Sequence, residues 1–194
     1  IKEPHRLEVL ISSNHLLFLE RTSSVDFAPI FNSGLMVYND FFNENLSAQV
    51  GFFRNAHPNN ANDLKANGGF NVTGRITGLP LQSKEATLHI GSSYSYRKPG
   101  TGTYQVASSG AAHLSRKKYL DTDVLEVGVS EQLNFEFLFV RGPFFIQSEY
   151  LTSRIQKRGV LEEIVYLRTA YSQISYCLTG EKRSYKNANS RNKL

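Results

Sequence analysis

Along much of the chain, apolar and polar residues alternate one by one. Leu46, Ala48, Val50 and Phe52 share one parity, while Ser47, Gln49 and Gly51 share the other. In an extended backbone these two sets point to opposite faces. The pattern returns at residues 70–78, where Phe70, Val72 and Ile76 oppose Asn71, Thr73, Arg75 and Thr77. From 86 to 97, Leu88 and Ile90 oppose Thr87, His89, Ser93, Ser95 and Arg97. Leu133, Phe135 and Phe137 alternate with Gln132, Asn134 and Glu136, and Phe144, Ile146 and Tyr150 with Gln147 and Glu149. Ile174, Tyr176 and Leu178 oppose Gln173, Ser175 and Thr179. The periodicity predicts an all-β chain of about eight strands: one before Ser12, then 34–42, 46–54, 70–79, 86–97, 130–140, 144–153 and 162–179.

The connections fall into two lengths. Residues 43–45, 80–85 and 141–143 are short and rich in turn formers, whereas 55–69 and 98–129 are long and polar. Short turns at one end and long loops at the other form the connection pattern of a transmembrane antiparallel up-and-down β-barrel. Tyr94, Tyr96, Tyr150 and Tyr176 would supply its interfacial aromatic girdle. Leu46, Ala48, Val50, Phe52, Phe70, Val72, Ile76, Leu133, Phe135 and Phe137 would then face lipid. A soluble antiparallel β-sheet binding module satisfies the same alternation, with the apolar face packed on other protein. Periodicity leaves both architectures open.

Composition narrows the choice little. The 194 residues are 40% hydrophobic, and no run of about 18 apolar residues marks a membrane helix. A net charge of +5 and a pI near 9.3 favour an anionic partner. The single cysteine, Cys177, excludes an internal disulfide framework. The five histidines are scattered without metal-ligand spacing, so no metal or cofactor is expected. No nucleophile elbow, phosphate-cradling glycine loop or cysteine-based site is present, which argues against an enzyme. The basic run 182–193 lacks interleaved aromatics and reads as a turn or tail, not a nucleic-acid surface.

Several strings change the picture. Lys2-Glu3-Pro4, Leu7-Glu8, Ser12-Ser13-Asn14-His15 and Phe18-Leu19-Glu20-Arg21 occur in that order. They resemble the segment entering the third loop of the phosphate-selective porins of the O/P type. Phe27-Ala28-Pro29, Val50-Gly51-Phe52-Phe53-Arg54, Arg75-Ile76-Thr77-Gly78-Leu79-Pro80, Gly142-Pro143-Phe144 and Leu178-Thr179-Gly180-Glu181 extend the resemblance over nearly the whole chain. It implies a barrel of the 16-stranded type in a bacterial outer membrane, of which residues 1–194 would be a single partial domain, the central portion of a larger protein. It also implies passive diffusion of small anions such as phosphate and chloride, assembly as a homotrimer in outer-membrane lipid, and no nucleic-acid partner.

The resemblance places Ser12, Ser13 and Arg21 at the constriction, on a loop (12–33) that folds inward. Arginine suits an oxyanion because its planar fork donates two parallel bonds and stays protonated, while serine hydroxyls add neutral donors. The alternation itself, independently of any family, assigns Arg75, Arg97, His89, Glu136 and Glu149 to the polar wall. The two glutamates would oppose anions unless paired. Arg116, Lys117 and Lys118, in the long 98–129 loop, could form an entrance funnel. Where the family shows alternating arginines followed by Pro-Glu, residues 104–113 carry no arginine. That depletion implies weak anion preference in place of tight phosphate capture.

Overall fold

The computed structural model describes residues 1–28, 30–54, 68–110, 117–159, 163–183, 185–188 and 191–193. The chain opens with a single helical turn, α1 (Leu7–Leu10), and two 3-10 turns at Ser13–His15 and Ser23–Phe27. Four strands follow: β1 (Ser33–Phe41), β2 (Leu46–Arg54), β3 (Phe70–Gln82) and β4 (Ala86–Lys98). After the short β5 (Thr103–Tyr104), β6 (Ala107–Ser108) and β7 (Leu120–Asp121) come the long β8 (Leu125–Arg141), β9 (Phe144–Lys157) and β10 (Ile164–Tyr176). The short β11 (Lys186–Ala188) and β12 (Arg191–Lys193) pair with each other.

The long strands pair antiparallel in the order β1-β2-β3-β4-β8-β9-β10, with β5 added to β8. The sheet is open, and β1 and β10 form its edges. Its short turns all lie at one end and its long connections at the other, as an up-and-down porin-type barrel wall requires. Residues 55–67 and 111–116 of the long connections, with His113 and Arg116, lie outside the described residues, as does Pro29. The strand expected before Ser12 is instead the turn α1. Leu7, Val9, Leu10 and Ile11 are all buried, so this segment has no exposed face for alternation to mark. The amides of Leu7 and Glu8 donate to the Glu149 carboxylate at 2.8 Å each, not to a strand ladder.

The alternation divides the sheet into two unlike faces. Val50, Phe52, Ile76 and Phe135 are 50–55% exposed on the outer face, and Val72 and Phe137 lie exposed beside them. Leu46, Ala48, Phe70 and Leu133 are half-buried there. No second sheet covers this face among the described residues. Phe70 stacks on Phe52 at 5.6 Å between centroids and meets Tyr96 at 6.2 Å. This row of rings lies at the long-connection end, where a barrel carries an aromatic girdle. Tyr94 and Tyr176 are exposed on the same face, whereas Tyr150 is exposed at mid-strand. A charge here would have to enter hydrocarbon. Ile76→Arg is therefore expected to cost about 2–4 kcal/mol at the midplane, measured as reversible unfolding from lipid vesicles. An unchanged stability would argue that Ile76 faces water.

The inner face is polar and carries the N-terminal segment, residues 1–32. Two apolar clusters hold that segment, one toward each end of the sheet. Leu7 and Ile11 pack with Leu79, Leu138, Val140, Phe145 and Tyr185 near the short turns. Phe27 packs with Tyr104, Val106, Val127, Leu151 and Ile155 near the long connections. Between them lies a belt of buried polar and charged side chains.

Candidate functional site

Within the belt, every inward-facing charge the sequence singled out has a partner. Arg75 on β3 and Glu136 on β8 sit two strands apart, with β4 between them. The arginine donates from Nε to Oε1 at 2.7 Å and from a terminal nitrogen to Oε2 at 3.2 Å. Both side chains are fully excluded from solvent. Gly91 makes this reach possible. It lies directly opposite Glu136 on the ladder, and a Cβ at that position would collide with the carboxylate and lie 2.7 Å from Thr77 Cγ2. His89 stands 3.8 Å from Glu136 through Nε2, and its Nδ1 shares a 2.7 Å hydrogen bond with Tyr185 Oη.

Arg97, at the upper end of β4, pairs with Glu3 of the N-terminal segment. The same carboxylate accepts hydrogen bonds from Asn32, from Asn71 Nδ2 at 3.1 Å and from Thr73 Oγ1 at 3.3 Å. Glu149 on β9 accepts the amides of Leu7 and Glu8, Asn134 Nδ2 at 3.0 Å and the Tyr171 hydroxyl. Glu8 in turn takes Thr22 through its amide and hydroxyl, and Gln173 Nε2 at 3.0 Å. Arg75, Arg97, His89, Glu136 and Glu149 thus all point inward and are buried. Arg97 and Glu149 tie the segment to the wall, through Glu3 and the amides of Leu7 and Glu8. Arg75 and Glu136 instead tie β3 to β8 within the wall, and His89 meets Tyr185.

The segment's own basic residues are used differently. Arg6 adopts a φ of 69°, in a region that disfavours a side chain. Its guanidinium donates to the carbonyls of Ser24 at 2.5 Å and Ala28 at 2.8 Å, which holds the chain in that conformation. Burial and the neighbouring Arg97 push its pKa down to about 10, so it is still charged at neutral pH. The same burial, with Arg6 and Arg97 beside it, holds His5 well below the ordinary imidazole value. His5 is therefore neutral where its Nδ1 meets Ser93 Oγ at 2.8 Å.

Lys2 and Arg21 converge. Lys2 Nζ reaches the carbonyl oxygens of Val9 at 2.8 Å, Leu10 at 3.5 Å and Ile11 at 3.4 Å. Arg21 donates to the carbonyls of Glu8 and Ile11, the latter at 2.9 Å. Both cations meet at Ile11 O, and the next two residues are Ser12 and Ser13, whose side chains are exposed. Burial lowers the Arg21 pKa somewhat against the raising field of Glu8, which leaves the guanidinium protonated. All four residues line one cavity of about 720 Å³. No carboxylate is among the described residues lining it. The resemblance places Ser12, Ser13 and Arg21 at a constriction, and it does not single out Lys2. Its place in the opening Lys2-Glu3-Pro4 string was the one signal available, and it read only as part of a resemblance.

Such an arrangement can hold an oxyanion loosely. A guanidinium and an ammonium supply charge and two hydroxyls supply neutral donors, with no carboxylate among the described lining residues. Elsewhere, Lys118 Nζ donates to Ser109 Oγ and Lys117 lies over the Tyr119 ring, both on the long connection away from this cavity.

Among protein families, the model for phosphate-selective porin O and P matches residues 2–194. A search of curated proteins returned no match.

Proposed function

Because the chain belongs to the phosphate-selective porin O and P family, and so to the porins of the bacterial outer membrane, we propose that it forms the wall and inward loop of a water-filled channel for passive diffusion of small anions. The anion passes the cavity formed by Lys2, Ser12, Ser13 and Arg21, and the protein acts as a channel, not an enzyme. The carrying observation is the convergence of two cations on one carbonyl oxygen, beside two serines, in a cavity whose described lining holds no carboxylate. Conduction needs binding strong enough to admit an ion and weak enough to release it. Two cations already engaged by backbone carbonyls, with neutral hydroxyls beside them, supply that intermediate strength.

Arg75 and Arg97 are spent on Glu136 and Glu3, so they add little net positive potential. That supports modest anion preference over tight phosphate capture. Three copies per assembly, in outer-membrane lipid, complete the reading. Planar-bilayer measurements test it. In a potassium chloride gradient the reversal potential should report chloride preferred to potassium, and phosphate should block the current only at high concentration. The double variant Lys2→Gln, Arg21→Gln should lose most of the preference, since electrostatic focusing in a low-dielectric channel depends on the local charge. Cation preference in the unmodified protein would overturn the proposal.

A further inference from the structure

The cavity is larger and less polar than a bare phosphate ion requires. Beyond Lys2, Ser12, Ser13 and Arg21, its described lining is apolar, including Leu10, Phe31 and Met36. Met36 comes from the inner face of β1, and Phe31 sits where the segment meets Lys2 in an isolated antiparallel bridge. Phe31 is 53% exposed, and Lys2 Nζ lies 6.0 Å from its ring centroid. A cation that can take an anionic head therefore stands beside a ring that can take an apolar body.

We propose that this cavity favours small phosphate monoesters carrying an apolar group over inorganic phosphate; the inference rests on the anion reading above. A monoester keeps three free oxygens, enough to meet the remaining Arg21 N–H groups and the serine hydroxyls in the field of the Lys2 ammonium. The ammonium's own N–H groups face the carbonyls of Val9, Leu10 and Ile11. Its apolar group displaces water from Leu10, Phe31 and Met36, which inorganic phosphate leaves in place. A volume of about 720 Å³ falls in the range of pockets that enclose an organic ligand, about 300–1,000 Å³. A carboxylate with the same body offers only two oxygens to the same donors.

The test compares inhibition of chloride current in planar bilayers by inorganic phosphate, phenyl phosphate, benzoate and phenol. Phenyl phosphate should block at a concentration about tenfold lower than inorganic phosphate, in line with burial of part of one ring. Benzoate should fall behind it, and phenol should not block. Phe31→Ser should bring the blocking concentrations of the two phosphates together, with Met36→Ser as a second variant acting from the strand. Lys2→Gln should weaken both. Equal block by the two phosphates in the unmodified protein would overturn the proposal. So would block by phenol, benzoate as effective as phenyl phosphate, or an unchanged ratio in both apolar variants. A cation-preferring pore would instead overturn the anion reading on which the proposal stands.

Discussion

Glu136→Gln is expected to be the most destabilising single change in the protein. Arg75 and Glu136 lie wholly out of water and meet through two hydrogen bonds across an intervening strand. Removing the carboxylate charge leaves a guanidinium buried without its counter-charge. Breaking a buried pair in this way costs about 3–5 kcal/mol, much more than the pair's net contribution, since desolvation offsets most of the attraction. Replacing both residues with apolar ones of similar size, Arg75→Leu with Glu136→Leu, should recover most of the loss. Gly91→Val tests the geometry separately. It keeps both charges and fills the space the Glu136 side chain crosses, so it should approach the single variant in effect. Thermal unfolding followed by circular dichroism, with heat-dependent gel mobility as a second readout, measures all three. If Glu136→Gln melts with the unmodified protein, the pair is not the buried tie described above.

The second large effect concerns the segment and not the wall. In Glu149→Ala the amides of Leu7 and Glu8 lose their acceptor, and each buried unsatisfied donor costs about 1–3 kcal/mol. Neighbouring ties through Glu3 and Glu8 should keep the chain folded. The expected result is local release of residues 1–32 from the inner face, without collapse of the sheet. Single-channel conductance should rise and become noisier, and limited proteolysis should find new sites between residues 12 and 28. Glu149→Gln retains one carbonyl acceptor and should fall between the two. Unchanged conductance in Glu149→Ala would show that the segment does not restrict the passage.

Some features of this molecule were legible from residue order alone, because they depend on local periodicity. An extended chain sends neighbouring side chains to opposite faces, so Val50, Phe52, Val72, Ile76 and Phe135 declared an outer face and Arg75, Arg97 and Glu136 an inner one. Turn lengths then gave the up-and-down connection order. Where the periodicity falters, so did the boundaries. β8 begins at Leu125, not near 130, because the register shifts between Val127 and Val129 and breaks the alternation. The run from Leu7 to Ile11 is buried throughout, Glu8 included, so no exposed face marks its period and its helical turn read as a strand.

What the order of residues determined is therefore the sheet, its two faces and its two kinds of ends. Parity names the face a side chain occupies, but not the group it meets there. Arg75 and Glu136 are 61 residues apart and Glu3 and Arg97 are 94 apart. Only the ladder order and the return of the N-terminal segment across the inner face bring them together. The same fold turned five expected wall residues into ties and left the cationic cavity to Lys2 and Arg21, which meet because α1 ends in carbonyls that both can reach. Charge neutralisation depends on distances between residues remote in sequence, and those are set by the tertiary structure.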